Sequence, residues 1–214
     1  MKSLIDNDVL VKGSCYDLLQ ELATAVPGDL QRAGILGASQ FVVPKLIAKK
    51  QLRNKPAKAQ AVFDSFVQEN DVVEPTIDEQ LLAARLESTA QALAVNMDVG
   101  ESQLTAILIS RAVPFLLTGD KRAITAMERL LDNDKTLAVM AGRIKCLEQL
   151  VSRLLEYDDT AKIRGAICAE PAIDKALSIC FSCSRPETDR ATICEGLNSY
   201  ISAIRVEARR VLST

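Results

Sequence analysis

Asp6, Asp8, Asp98, Glu101 and Asp120 are the residues of this chain whose types and spacing could do chemistry. Asp6 and Asp120 each stand directly behind a short apolar run, Leu4-Ile5 and Pro114-Phe115-Leu116-Leu117-Thr118-Gly119, that reads as a buried β-strand. Glu101 opens a helix between them, with Asp98 just before it. In an open parallel sheet, ligands gather at the carboxyl ends of the strands, so two aspartates delivered there can share a divalent metal. Mg²⁺ and Mn²⁺ prefer carboxylate and water oxygens and bridge to phosphate. Such an ion activates water and stabilises the charge that builds on a phosphodiester. Each acid also has a blander role, as a helix cap or a partner of the helix dipole. Taken singly, capping is the simpler reading. Together, at strand ends and helix starts, they point to a shared site.

Composition narrows the field. The 214 residues contain no His, which excludes Ser-His-Asp or Cys-His nucleophile systems and His-ligated metals. Hydrophobic residues make up 48% of the chain, enough for a sizeable core. Aromatics make up 4%, too few for a stacking platform for single strands. A net charge of −2 argues against a uniformly basic coat but leaves room for a local patch. Met1-Lys2-Ser3-Leu4-Ile5 is interrupted by Asp6 and Asp8 before any apolar leader develops, and no later stretch reads as a membrane span. The expectation is a soluble cytoplasmic protein, with no membrane partner and its six Cys reduced.

The elements that must position the acids follow from periodicity. Strands are expected at Leu4-Ile5, Gly34-Ile35-Leu36, Val72-Val73, Phe115-Leu116-Leu117 and Leu137-Ala138-Val139. Helices are expected from Asp8 to Val26, from Phe41 to Leu52 starting near Pro44, and from Ala57 to Val67. Further helices are expected from Ile77 to Val95, Glu101 to Ala112, Arg122 to Leu131 and Gly142 to Leu155, with a turn at Pro27-Gly28-Asp29. This alternation predicts an α/β fold with a parallel sheet covered on both faces. After Tyr157 the pattern is helical only, so residues 1–157 read as the main domain and 158–214 as a helical extension.

Charge is segregated. Arg32, Lys45, Lys49, Lys50, Arg53, Lys55 and Lys58 lie in a stretch without acids, whereas the stretch from Asp64 to Glu101 is acidic apart from Arg85. Two solvated helix faces explain this simply. The functional alternative is a phosphate-contacting patch beside an acidic metal site. Lys121 and Arg122, directly after Asp120, are either a solvated first helical turn or a further phosphate contact. Ser102 is either an ordinary helix residue or a partner for metal-bound water, and Arg205, Arg209 and Arg210 read as one solvated helical face.

The stretch Met97-Asp98-Val99-Gly100-Glu101-Ser102-Gln103-Leu104-Thr105-Ala106-Ile107, followed by Phe115 to Arg122, resembles the PIN-domain family. Leu4 to Val11 is similar to that family's opening strand and first aspartate, and Val139 to Ile144 to its later strand and turn. The likeness spans about residues 1–155. It implies a three-layer α/β fold with a central parallel sheet and Mg²⁺- or Mn²⁺-dependent endoribonuclease activity, a hydrolase acting on RNA and in some cases DNA. Asp6, Glu101 and Asp120 match the catalytic, metal-holding acids, with Asp8 and Asp98 as supporting ligands. Lys45, Lys49, Lys50, Arg53, Lys121 and Arg122 are the corresponding nucleic-acid contacts in this reading. The chain departs from the pattern at Gln40 to Leu46, where many members carry an acid and this one carries Lys45. That departure keeps open a catalytically silent PIN-like module that binds nucleic acid or protein. The family also implies a toxin–antitoxin setting with an inhibitory protein partner, and the extra helices offer a homodimer surface.

Cys168, Cys180, Cys183 and Cys194 all fall in the extension. Cys180 and Cys183 form a C-x-x-C, which reads as buried thiols in preference to a zinc site or a redox pair.

Overall fold

A computed structural model of the chain describes residues 1–27, 32–53 and 56–214. Gly28 and Asp29 of the expected turn, and Lys55 of the basic stretch, lie outside the described residues. Five parallel strands form one sheet in the order β3-β2-β1-β4-β5. They are β1 (Ser3–Ile5), β2 (Ala33–Leu36), β3 (Asp71–Val73), β4 (Phe115–Thr118) and β5 (Ile144–Cys146). β1 and β4 pair in the register Ile5 with Leu117. The chain runs outward from β1 through β2 to β3, then returns to place β4 on the other side of β1. The reversal of strand order therefore falls between β1 and β4, and in such sheets this is where a crevice opens at the carboxyl ends.

The strands are short, three or four residues each, and helices cover both faces of the sheet. One layer consists of α1 (Asn7–Tyr16), α2 (Leu19–Thr24), α3 (Ser39–Ala48), α4 (Pro56–Glu69) and α8 (Leu147–Tyr157). It packs Val9, Leu10, Phe63, Leu150 and Leu154 onto Ile5, Ile35 and Leu117. The opposite layer consists of α5 (Ile77–Ala92), α6 (Val99–Ser110) and α7 (Lys121–Asn133). Leu86, Leu104, Ile107, Met127 and Leu130 bury there against Leu4, Leu116 and Ile144. The three-layer α/β architecture with a central parallel sheet is thus present.

The helices after Asp158 are α9 (Thr160–Ala169), α10 (Lys175–Cys180) and α11 (Arg190–Glu207). They share the main cores: Ile163, Leu177, Phe181 and Leu197 join the first, and Ile204 and Leu212 the second. The tail beyond α11 runs along β5. Ile144 N–H donates to Val211 O at 3.0 Å, and Ser213 N–H donates to Ile144 O at 2.8 Å. The tail therefore covers an edge that would otherwise offer unpaired backbone groups.

Several sequence expectations are corrected. Leu137-Ala138-Val139 is not a strand but part of a 3₁₀ helix, Lys135–Met140. The Asp134 carboxylate accepts from Thr136 N–H at 2.9 Å and starts that turn, while Leu137 and Met140 bury at a spacing of three. The fifth strand is instead Ile144–Cys146, from a segment expected to be helical. Its residues alternate buried, half-buried, buried, the two-residue period of a strand. The expected helix from Asp8 to Val26 is two helices, because Asp17 turns left-handed (φ 57°) and ends α1. α3 starts at Ser39 and holds Pro44 inside. The carbonyl that Pro44 cannot serve belongs to Gln40, an exposed residue near the helix start where water can reach it. α11 ends at Glu207, so Arg209 and Arg210 are not on one helix with Arg205.

The expectation of six reduced cysteines is also corrected. Cys168 and Cys183 are joined in a disulfide across 15 residues, and Cys180 is a free, buried thiol. The C-x-x-C is therefore divided between a cross-link to α9 and a core position, which leaves no zinc pair there.

Candidate functional site

Asp6 and Asp120 stand at the same end of the sheet because β1 and β4 are neighbours and each acid follows its strand. Asp6 N–H donates to Leu117 O at 2.9 Å, continuing the ladder past the end of β1. The Asp6 carboxylate accepts from its helix's first N–H, Asn7, at 2.7 Å and from the Thr118 hydroxyl of β4 at 3.0 Å. Asp120 N-caps α7, accepting from Arg122 N–H at 2.8 Å. From the opposite layer α6 brings Asp98 and Glu101, which form a reciprocal capping box. Glu101 N–H donates to Asp98 at 2.8 Å, and Asp98 N–H donates to the Glu101 carboxylate at 2.8 Å. Helix capping and site building are here done by the same carboxylates. Asn96, Met97, Asp98, Glu101, Asp120 and Arg122 line a cleft of about 250 Å³.

Burial sets the electrostatics of the two most buried acids of the site. Asp6 is 7% exposed and Glu101 8%. Burial pushes Asp6 up to about 6, with the Asp8 and Asp98 charges adding to it against the Thr118 and Asn7 hydrogen bonds. Burial pushes Glu101 up to about 7, with Asp98, Asp6 and Asp120 adding to it against the Asp98 N–H. Asp120 goes the other way. Burial would raise it, but the Arg122 guanidinium, 2.7 Å away, outweighs that and holds it low.

Several flanking groups escaped the sequence reading, Lys12 and Thr118 among them. Lys12, one turn beyond Asp8 on α1, pairs with Asp8 at 2.6 Å and with Asp174 of the extension at 2.7 Å. Burial raises the pKa of Asp8 despite this partner. Thr118 is another, a hydroxyl on a strand that reads only as apolar. The sequence carried no signal for Asp174, whose place depends on how α10 docks.

The other expected site residues disperse. Lys45, Lys49 and Arg53 are exposed on or just past α3, and Lys50 is half-buried. Among the described residues none of these four pairs with the acids, and the Arg53 N–H donates to Glu170 at 2.9 Å. Lys121 turns away, pairing with Glu148 at 2.8 Å and lying 4.4 Å above the Tyr200 ring. The Ser102 hydroxyl lies within hydrogen-bond distance of the Glu87 carboxylate and of Val99 O, away from the cleft.

The donor chemistry fits a divalent cation: carboxylates short of counter-charge, and beside them a buried Asn7 Oδ1 with no hydrogen-bond partner among the described residues. The ligand shell is not assembled, because no group of three or more acidic or Cys side chains among the described residues is arranged to hold a metal. Asp120 is turned onto Arg122 and Glu101 onto its own cap. No helix among the described residues is long and apolar enough to cross a membrane. No family model matches the chain, and no curated protein or solved structure was found to be significantly similar to it.

Proposed function

We propose that the protein is a metal-dependent endoribonuclease whose centre is the acidic cleft between β1 and β4. The observation that carries this reading is the buried pair Asp6 and Glu101. Both are pushed up by burial and by neighbouring carboxylates, at the sheet position where ligands gather. Such a cluster costs stability as it stands, and a cation offsets that cost. Mg²⁺ or Mn²⁺ would be held by Asp6, Glu101 and Asp120, with Asp98 and Asp8 next to them. When bound, it would supply a Lewis acid for a phosphodiester and a water of lowered pKa. The chain's own residues do the rest. Thr118 and Asn7 fix the Asp6 carboxylate, and the capping box fixes Glu101. Arg122 neutralises Asp120 and is free to exchange that partner for a substrate phosphate, as an exposed guanidinium at the cleft mouth. Lys45, Lys49, Lys50 and Arg53 would guide the strand towards the cleft. RNA as the polymer rests on the PIN-domain resemblance, and so does an inhibitory or homodimeric partner. A cytoplasmic setting belongs to this reading through the PIN-domain resemblance alone, and the Cys168–Cys183 disulfide counts against it, since thiols are kept reduced there.

A second reading has its own support. Asp120 is occupied by Arg122, Asp8 by Lys12, and no acid replaces Lys45 on α3. A silent PIN-like module that binds nucleic acid or protein would look the same. Cleavage of mixed single-stranded and structured RNA with Mn²⁺ or with EDTA separates the two. Metal-dependent cleavage by the wild type, abolished in folded Asp6→Asn and Asp120→Asn, supports the nuclease. Cleavage that persists in either variant removes this site.

A further inference from the structure

Lys145, Arg153 and Arg205 line a cavity of about 390 Å³ that shares no residue with the acidic cleft. They come from β5, from α8 and from the last turn of α11. Like charges so placed repel, and Ser213 of the tail holds two of them in position. Its hydroxyl accepts from Lys145 Nζ at 2.7 Å, and its carbonyl accepts from the Arg205 guanidinium at 2.8 Å. Gln149 donates to the same carbonyl at 2.8 Å. Other partly buried lysines of the chain are matched by carboxylates, Lys12 by Asp8 and Asp174 and Lys121 by Glu148. Lys145 and Arg205 are half-buried, yet neither pairs with a carboxylate among the described residues. Thr214, also in the lining, pairs with none of the three cations. Only Arg153 has an acidic partner, Glu156, the one acidic side chain of the lining. Burial, and then the Arg153 and Arg205 charges, hold Lys145 below its ordinary range against the Cys146 thiol. Lys145 and Arg205 each keep N–H donors beyond those spent on Ser213. The Ser152 hydroxyl, in the same lining, has no hydrogen-bond partner among the described residues.

We propose that this cavity is a binding site for a phosphate group, free or as the monoester of a small molecule, held by Lys145 and Arg205 with Ser152 as a neutral donor. A phosphate supplies the negative charge these cations lack. Its oxygens accept a fork of N–H groups from a guanidinium and a point charge from an ammonium at once. Arg153 can exchange Glu156 for the ligand, because an exposed ion pair of that kind is worth little. The organic part of an ester has room. A second cavity of about 600 Å³ adjoins the first, shares Ala25, Pro27 and Arg153 with it, and carries the Arg153 guanidinium 4.3 Å above the Tyr157 ring. The site does not depend on the metal reading of the acidic cleft.

The test is isothermal titration calorimetry of the full chain in phosphate-free buffer at fixed ionic strength, with inorganic phosphate, ribose 5-phosphate and ribose as titrants. Wild type is expected to bind phosphate saturably and ribose not at all. Tighter binding of ribose 5-phosphate assigns the site to monoesters, and equal or weaker binding assigns it to free phosphate. Lys145→Met and Arg205→Met should each weaken the binding about tenfold or more, the order of one charge-assisted hydrogen bond lost. Arg129→Met removes the same charge from an exposed position on α7 and should bind like wild type. The proposal is overturned if wild type binds neither phosphate saturably up to about 10 mM, weaker than the millimolar end of the affinity scale. It is equally overturned if Lys145→Met or Arg205→Met binds like wild type, or if Arg129→Met loses as much. Should either cavity variant lose the native circular dichroism spectrum, Ser152→Asp keeps every cation and adds a carboxylate to the lining. It should abolish phosphate binding, and unchanged affinity there overturns the proposal.

Discussion

At the scale of single residues, pH acts most strongly on Asp6 and Glu101. Each holds its proton to higher pH in the folded chain, about 6 and about 7, than its ordinary value of 3.8 or 4.5. The folded state therefore binds more protons than the unfolded one across that window. Their contribution is fully present below about pH 4 and is lost as the pH rises through about 6 to 7. Asp6→Asn or Glu101→Gln should then stabilise the metal-free protein at pH 8 by about 1–2 kcal/mol each, with little gain at pH 4. Urea unfolding at the two pH values checks this, and an equal effect at both would contradict it. The acids themselves were legible in the sequence because each follows a strand or opens a helix. Lys12, Asn7, Thr118 and Asp174 were not. Their importance comes from a neighbour supplied by sheet pairing or by docking of α10, and neither is encoded in local spacing.

At the scale of elements, the site depends on how closely α1 approaches the β4–α7 turn. Gly119 makes that approach possible, since any Cβ would strike the Asp8 carboxylate held by Lys12. Gly119→Val is expected to cost about 1–3 kcal/mol, the usual range for overpacking. The cost should shrink in an Asp8→Ala background, as a double-mutant cycle of unfolding free energies would show. Additive costs would mean that the two residues do not meet. Periodicity succeeds for some elements and fails for others. Phe115–Thr118 was readable as a strand because it is apolar and bounded by Pro114 and Gly119. Ile144–Cys146 was missed because three residues merge into the pattern of α8, and their strand character depends on pairing with Leu116 to Thr118. Leu137-Ala138-Val139 was apolar enough for a strand, but Asp134 turns it into a 3₁₀ helix.

At the scale of the whole molecule, α7 links the cleft to the tail. Asp120 caps its start, and Glu128 in its middle accepts from Arg210 N–H and Val211 N–H, both at 3.0 Å. Arg210 adds side-chain contacts to Glu128 at 2.9 Å and to Asp132 at 2.6 Å. Val211 and Leu212 are at most 2% exposed. Deleting residues 208–214 should cost about 3 kcal/mol or more, from two buried aliphatic side chains alone. It should also leave Glu128 without its partners and the β5 edge open. A drop in thermal midpoint together with concentration-dependent association would show both effects. An unchanged midpoint would mean that the tail only rests on the sheet. The three-layer fold was legible from alternating strands and helices. The extension was legible as helices but not as part of the core, because burial of Ile163, Leu177 and Leu197 follows from tertiary packing.

The divalent cation at the β1–β4 cleft is a proposal. It is tested most directly by growing crystals of the protein with Mn²⁺ and calculating an anomalous difference map at the manganese edge. One peak is expected among Asp6, Glu101 and Asp120, with the Asp120 carboxylate turned off Arg122 and onto the metal. An ordered cleft with no anomalous peak at saturating Mn²⁺, and Asp120 still on Arg122, would contradict it.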